Sequence, residues 1–265
     1  MADERRHGLA DAADGLRLAI GTLSVLPAGT GRVDRRTAGW AMTLAPAVGL
    51  LLGGIAALAC WSLTAFTGAG TTLPAALAIG LLAVLTRGLH LDGLADLADG
   101  LGSGKPADRA LEIMKRSDIG PFGVMTLVFT ALIQVAALDR AGPVALVVAC
   151  VTGRLAVTWA CLPRVPPARP EGLGALVAGT VRPAAAVAAT GATVAIAVLL
   201  APLAAPPGWA GTAARHALAV AAGLVAAWAL RRHAVRRLGG VTGDVLGALV
   251  ETATTAALVI CALTT

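Results

Sequence analysis

From Ala38 to Thr86 the chain carries no charged side chain. Soluble domains do not avoid charge for so long, whereas a bilayer requires it: about 20 apolar residues cross the roughly 30 Å hydrocarbon layer as one helix. The run is long enough for two crossings, 42–64 and 73–90, separated by the turn residues Thr67-Gly68-Ala69-Gly70. In lipid the backbone N–H and C=O groups must be satisfied within the segment, so such crossings are helical. Further apolar segments lie at 120–138, 142–162, 184–205, 212–230 and 245–263. The expected fold is therefore all-α: a polytopic integral membrane bundle of six or seven transmembrane helices, one domain over residues 1–265. Composition agrees, with 57% hydrophobic residues and only 14% charged, against about 25% charged in soluble domains.

The basic residues then set an orientation. Placing the loops alternately on two sides puts 18 of the 21 Lys and Arg on one side. Arg140 and Arg215 fall on the other, and Arg154 falls inside a span. By the positive-inside rule the crowded side is cytoplasmic. It receives an N-terminal segment, 1–37, whose residues 9–26 are amphipathic and suit the membrane interface. It also receives an acidic segment, 91–118. The net charge of +6 is thus a topology signal, and no nucleic-acid partner is expected. Cys60, Cys150, Cys161 and Cys261 all lie in apolar stretches without a C-x-x-C pair, and read as small buried hydrophobes. Met1 to Arg17 mixes acids and bases, so a cleaved signal peptide is not expected.

Chemistry concentrates on the crowded side. Asp92, Asp96 and Asp99 stand at i, i+4 and i+7. On a helix they fall within about 60° of one another. Three like charges on one face repel unless a cation lies among them. Their carboxylates suit Mg²⁺, a hard ion that takes oxygen ligands and shares them with substrate phosphates; the alternative is a solvated helix face. His90 points towards the leucines of that helix, which favours a packing role over a catalytic base. Ser117 and Asp118 precede Gly120-Pro121, either as N-caps of the next helix or as a phosphate contact at its mouth. In Gly239-Gly240-Val241-Thr242-Gly243-Asp244, glycines let backbone N–H groups approach a phosphate, and Asp244 opens the last span as a cap or a ligand. Arg154 within a span needs an anion from protein or substrate, and Glu251 inside the last span is costly and expected to be functional. Gly100 to Lys105 fails as a phosphate loop, because Asp99 and Pro106 occupy the positions that need Gly and Ser or Thr.

Together these segments resemble the cobalamin synthase family, the adenosylcobinamide-GDP ribazoletransferases. The matching stretches are His90-Leu-Asp-Gly-Leu-Ala-Asp with Asp99-Gly100, Leu111-Glu-Ile-Met-Lys, Glu171-Gly-Leu-Gly, and Gly239-Gly-Val-Thr-Gly-Asp244 with Gly247-Ala248. The resemblance implies a multi-pass bacterial inner-membrane transferase of cobalamin biosynthesis that needs Mg²⁺. Its substrates would be adenosylcobinamide-GDP and α-ribazole or its 5′-phosphate, and its products adenosylcobalamin or its phosphate, with GMP. On this reading Asp92, Asp96, Asp99 and Asp244 hold the metal, while Arg154, Ser117, Gly239, Gly240, Thr242 and Gly243 hold phosphate oxygens. One of the carboxylates, or His90, takes the hydroxyl proton. The chain departs from the family in reading Arg116-Ser117-Asp118 where Asp-Ser-Arg is usual, and in carrying Pro121 for a Thr. Two other readings compete. A CDP-alcohol phosphotransferase also sets aspartates on membrane helices, but Gly102-Ser103-Gly104 breaks its pattern. An ion-coupled transporter would place acids at the midplane of a second repeat. Monomer and homo-oligomer are equally compatible with the sequence.

Overall fold

The structure is a computed structural model that describes residues 2–29, 31–205 and 207–263, with side chains from Ala10 onward. Its helices are α1 (Ala2–Leu23), α2 (Arg35–Thr67), α3 (Thr72–Leu85), α4 (Leu89–Gly102), α5 (Ala107–Ile113), α6 (Pro121–Ala141), α7 (Pro143–Ala160), α8 (Leu173–Val177), α9 (Pro183–Leu199), α10 (Ala201–Ala204), α11 (Trp209–Leu238) and α12 (Gly243–Leu263). Six segments are long and apolar enough to cross a membrane: α2, α6, α7, α9 with α10, α11 and α12. A seventh candidate is α3, which passes the same test only together with α4.

Local chemistry fixes the ends. Asp34 caps α2, accepting from the Arg36 and Thr37 backbone N–H groups at 2.9 and 2.8 Å, while the Thr37 hydroxyl accepts from the Asp34 N–H at 2.9 Å. Gly68, at φ 62°, closes the same helix in the left-handed conformation. At the centre of the bundle, α7 has 83% of its apolar window buried and packs against α2, α11 and α12. Outward-facing Leu58, Phe129, Leu132 and Val225 are exposed, as expected where lipid supplies the missing contacts. The four cysteines are free and buried.

One expectation is corrected. The segment 73–90 is not a continuous span, because the chain turns by 88° between α3 and α4. Arg87 and Gly88 make the turn, at φ 55° and 68°. Two successive left-handed residues cannot continue a right-handed helix. The turn takes α4 out of the spanning direction and lays it across one end of the bundle, against α6 and α12. The connections 86–120, 161–182 and 239–242 gather at that same end.

Candidate active site

The crossing of α4 over α12 builds the site. At Gly93 an added Cβ would lie 2.7 Å from the Asp244 carbonyl oxygen, and at Gly247 it would lie 3.1 Å from the His90 Cα. The first is closer than a methyl group tolerates, and the second is tight enough that the helices would have to shift by a few tenths of an ångström. The two glycines thus set the separation of the helices and bring Asp92 and Asp244 to one cavity of about 290 Å³. Its wall also includes Arg169, Glu171, Gly172, Thr242 and Gly243. Three segments far apart in sequence meet there. A second cavity of about 720 Å³ is lined by Arg87, Asp92, Asp96, Arg116, Ser117 and Asp118. Leu89 and Asp92 belong to both.

The charges at this junction are unbalanced. Burial and the neighbouring Asp92, Asp244 and Asp99 push the Asp96 carboxyl up to about 7, with Arg169 acting in the opposite direction. Arg169 stands 3.9 Å from an Asp244 oxygen. It also donates to the Leu111 carbonyl at 2.6 Å, and its Nε is buried without a partner. Thr242 donates to Asp244 at 3.2 Å and accepts from the Val245 N–H at 3.2 Å, so Thr242, not Asp244, caps α12. Among the described residues no three acidic, histidine or cysteine side chains converge on one metal position. The donors are nonetheless hard oxygens, close enough to raise one another's proton affinity. That combination fits an ion held by one or two carboxylates and completed by phosphate oxygens, the habit of Mg²⁺.

Each candidate residue now has a place. Along α4 the aspartates grade from exposed Asp92 through half-buried Asp96 to buried Asp99. Asp99 turns away from the cavities to the start of α6, accepting from Gly120 N–H at 2.7 Å and Gly123 N–H at 2.9 Å. It caps that helix from outside, because the N-cap Gly120 has no side chain to do so. Ser117 and Asp118 are therefore not the caps of α6, and both line the larger cavity.

Thr242 and Gly243 line the smaller cavity. Gly239 ends α11 at φ 84°, and Gly240 packs on the loop Pro166 to Ala168, where Val241 bridges Pro167. Neither Gly239 nor Gly240 lines either of the two cavities; Gly239 supplies the left-handed turn, and Gly240 the close approach of backbone to backbone.

Arg154 is buried and lines neither of the two cavities. It approaches His90 Nδ1 at 3.5 Å and interacts electrostatically with Glu251. Glu251 accepts from Gln134 at 2.8 Å, and Gln134 also donates to Thr255 at 3.0 Å. His90 is buried, and burial together with Arg154 holds its pKa well below the usual histidine value. An arginine can only donate, so Nδ1 is the accepting atom in that contact, while Nε2 is buried without a partner. Sequence reasoning passed over Arg169 and Arg87. Arg169 sits two residues before the Glu171-Gly-Leu-Gly stretch, and that adjacency was its only signal. Arg87 is the one non-glycine with positive φ among the described residues.

Carboxylates at a cavity junction, with arginines on both walls, suit the binding of a diphosphate through a divalent ion and displacement at phosphorus. Comparison with known proteins bears on this. Residues 15–262 match the family described as cobalamin-5-phosphate synthase. An adenosylcobinamide-GDP ribazoletransferase of Frankia casuarinae is 49% identical over 261 residues, covering 94% of each chain. Proteins of the same description from a Nocardioides species and from Bradyrhizobium diazoefficiens are 40% and 37% identical, covering 92% and 89% of this chain and 96% and 88% of their own. No solved structure matches the chain.

Proposed function

The chain belongs to the cobalamin-5-phosphate synthase family, and from that membership and the geometry of its site we infer how it acts. It is an enzyme that transfers the adenosylcobinamide-phosphate moiety of adenosylcobinamide-GDP to α-ribazole or its 5′-phosphate and releases GMP. This family membership sets aside the CDP-alcohol phosphotransferase and transporter readings. The observation that carries the assignment of the site is the close crossing of α4 on α12, which joins the His90-Leu-Asp-Gly, Glu171-Gly-Leu-Gly and Thr242-Gly-Asp segments around one cavity.

In this reading Asp92 and Asp244 hold Mg²⁺, with Asp96 beside them. When bound, the ion supplies charge neutralisation on the diphosphate. Arg169 and the backbone at Thr242 and Gly243 hold phosphate oxygens on one wall, and Arg116 and Ser117 on the other. The hydroxyl oxygen of the ribazole sugar bonds to the phosphorus that bears cobinamide. The bond from that phosphorus to the GMP oxygen breaks, and the hydroxyl proton passes to a carboxylate of the cluster. Asp96, with its raised proton affinity, is placed for that role. Asp99 and Arg154 position helices and stay outside the reaction. The positive-inside count supports a site on the cytoplasmic face, in this reading that of a bacterial inner membrane.

The test is direct. Purified protein in lipid nanodiscs, given adenosylcobinamide-GDP, α-ribazole and Mg²⁺, is expected to yield GMP and a cobalamin in equal amounts. Absence of both products would reject the reading.

A further inference from the structure

The two cavities that share Asp92 differ in chemistry. The smaller, about 290 Å³, is lined by Leu23, Met42, Val157, Leu173, Leu246 and Val250 together with the charged Asp92, Arg169, Glu171 and Asp244. The larger, about 720 Å³, is lined by five charged side chains: Arg87, Asp92, Asp96, Arg116 and Asp118. We propose that the smaller cavity is the α-ribazole subsite, with the base seated against Met42, Val157 and Leu173, and that the larger receives the nucleotide end of adenosylcobinamide-GDP. The assignment rests on the transferase reading above and divides that site between its two substrates.

The base of α-ribazole is a dimethylated benzimidazole. It has no exocyclic amine or carbonyl and one hydrogen-bonding group, the unsubstituted ring nitrogen, so enclosure by aliphatic walls strips at most one hydrogen bond from it and gains from leaving water. Guanine carries an amino group, a carbonyl and a ring N–H. Against the aliphatic side chains of that wall these would be left unpaired. The diphosphate needs cationic partners, and Arg87 and Arg116 stand on the larger cavity. A corrin ring exceeds anything a 290 Å³ enclosure admits. With each substrate so placed, the attacking hydroxyl and the phosphorus meet at Asp92, the one acidic residue common to both walls.

Steady-state kinetics with each substrate varied in turn tests the division. Leu173 is half-buried on the short α8, and Arg116 is exposed, so both sites accept substitution. Leu173→Trp fills the smaller cavity and is expected to raise KM for α-ribazole about tenfold or more, leaving KM for adenosylcobinamide-GDP within about twofold. Arg116→Gln is expected to do the reverse. Should Leu173→Trp fail to accumulate, Leu173→Ala, which removes wall contact, is expected to shift the same constant by about threefold. Equilibrium dialysis of α-ribazole alone supplies a readout without turnover: binding weakens in the Leu173 variants and is unchanged in Arg116→Gln. A Leu173 variant that moves only the adenosylcobinamide-GDP constant, or both constants equally, overturns the division. Wild-type protein that forms neither GMP nor cobalamin would instead sink the transferase reading itself.

Discussion

His90 and Asp92 stand two residues apart on α4 yet face two different groups of polar side chains. The inner group, His90, Arg154, Glu251 and Gln134, lies within the bundle. There one arginine approaches His90 at 3.5 Å and acts electrostatically on one glutamate, and Gln134 bonds Glu251 at 2.8 Å. A cavity of about 20 Å³ between Arg154 and Glu251 is large enough for about one water molecule. The outer group sets Asp92, Asp96 and Asp244 against Arg169, whose nearest approach to Asp244 is 3.9 Å. The same residue types thus serve opposite ends. The inner cluster carries one cation and one carboxylate and ties α4, α6, α7 and α12 together, though His90 Nε2 and Arg154 Nε stay without a partner; the outer one, on a cavity wall, has an excess of carboxylates that suits a ligand bringing positive charge.

The contrast can be broken at several points. The largest effect is expected in the outer group. Asp96→Asn should cut turnover about a thousandfold while the protein stays folded, measured as GMP release beside a thermal melt. In the inner group the pattern inverts. Arg154→Leu removes a buried cation beside His90 and the positive charge nearest Glu251, and should cost about 1–3 kcal/mol of stability, read as loss of folded protein from the membrane fraction. Asp99 separates the roles within the aspartate line. Asp99→Ala removes both hydrogen bonds to the start of α6 and should cost about 1–2 kcal/mol, with turnover falling far less than in Asp96→Asn.

The smallest effect is on pH dependence. The folded protein holds a proton on Asp96 up to about pH 7, whereas an unfolded aspartate releases it near pH 4. The native state therefore binds more protons between these values, and without divalent ions stability should fall as pH rises through that window. Asp96→Asn should flatten the slope in melts taken in chelator.

Much of this was legible in the residues. The charge-free run from Ala38 to Thr86 and the later apolar segments gave the helical membrane bundle, and the i, i+4, i+7 spacing put the aspartates on a helix. Three features needed the third dimension. The break at Arg87-Gly88 hides inside an apolar run, since hydropathy does not register two residues of positive φ. The cap made by Asp99 depends on Gly120 and Gly123, more than twenty residues on and on another helix. At Gly240 a close approach of backbone to backbone, and at Gly239 a left-handed turn, demand the same residue that a phosphate cradle would, so the sequence does not separate these uses. Arg169 had no periodic pattern to announce it, and only the folding of the 163–183 loop onto α12 brings it to Asp244.

The central claim is that Asp92, at the junction of both cavities, holds the divalent ion on which the transfer depends. It is tested most directly by GMP release across a Mg²⁺ titration, comparing wild-type protein with Asp92→Asn in the same nanodiscs. The account predicts release that needs added Mg²⁺ in the wild type and stays at background in the variant at every concentration. A variant that releases GMP at a near wild-type rate, with the same Mg²⁺ dependence, would contradict it.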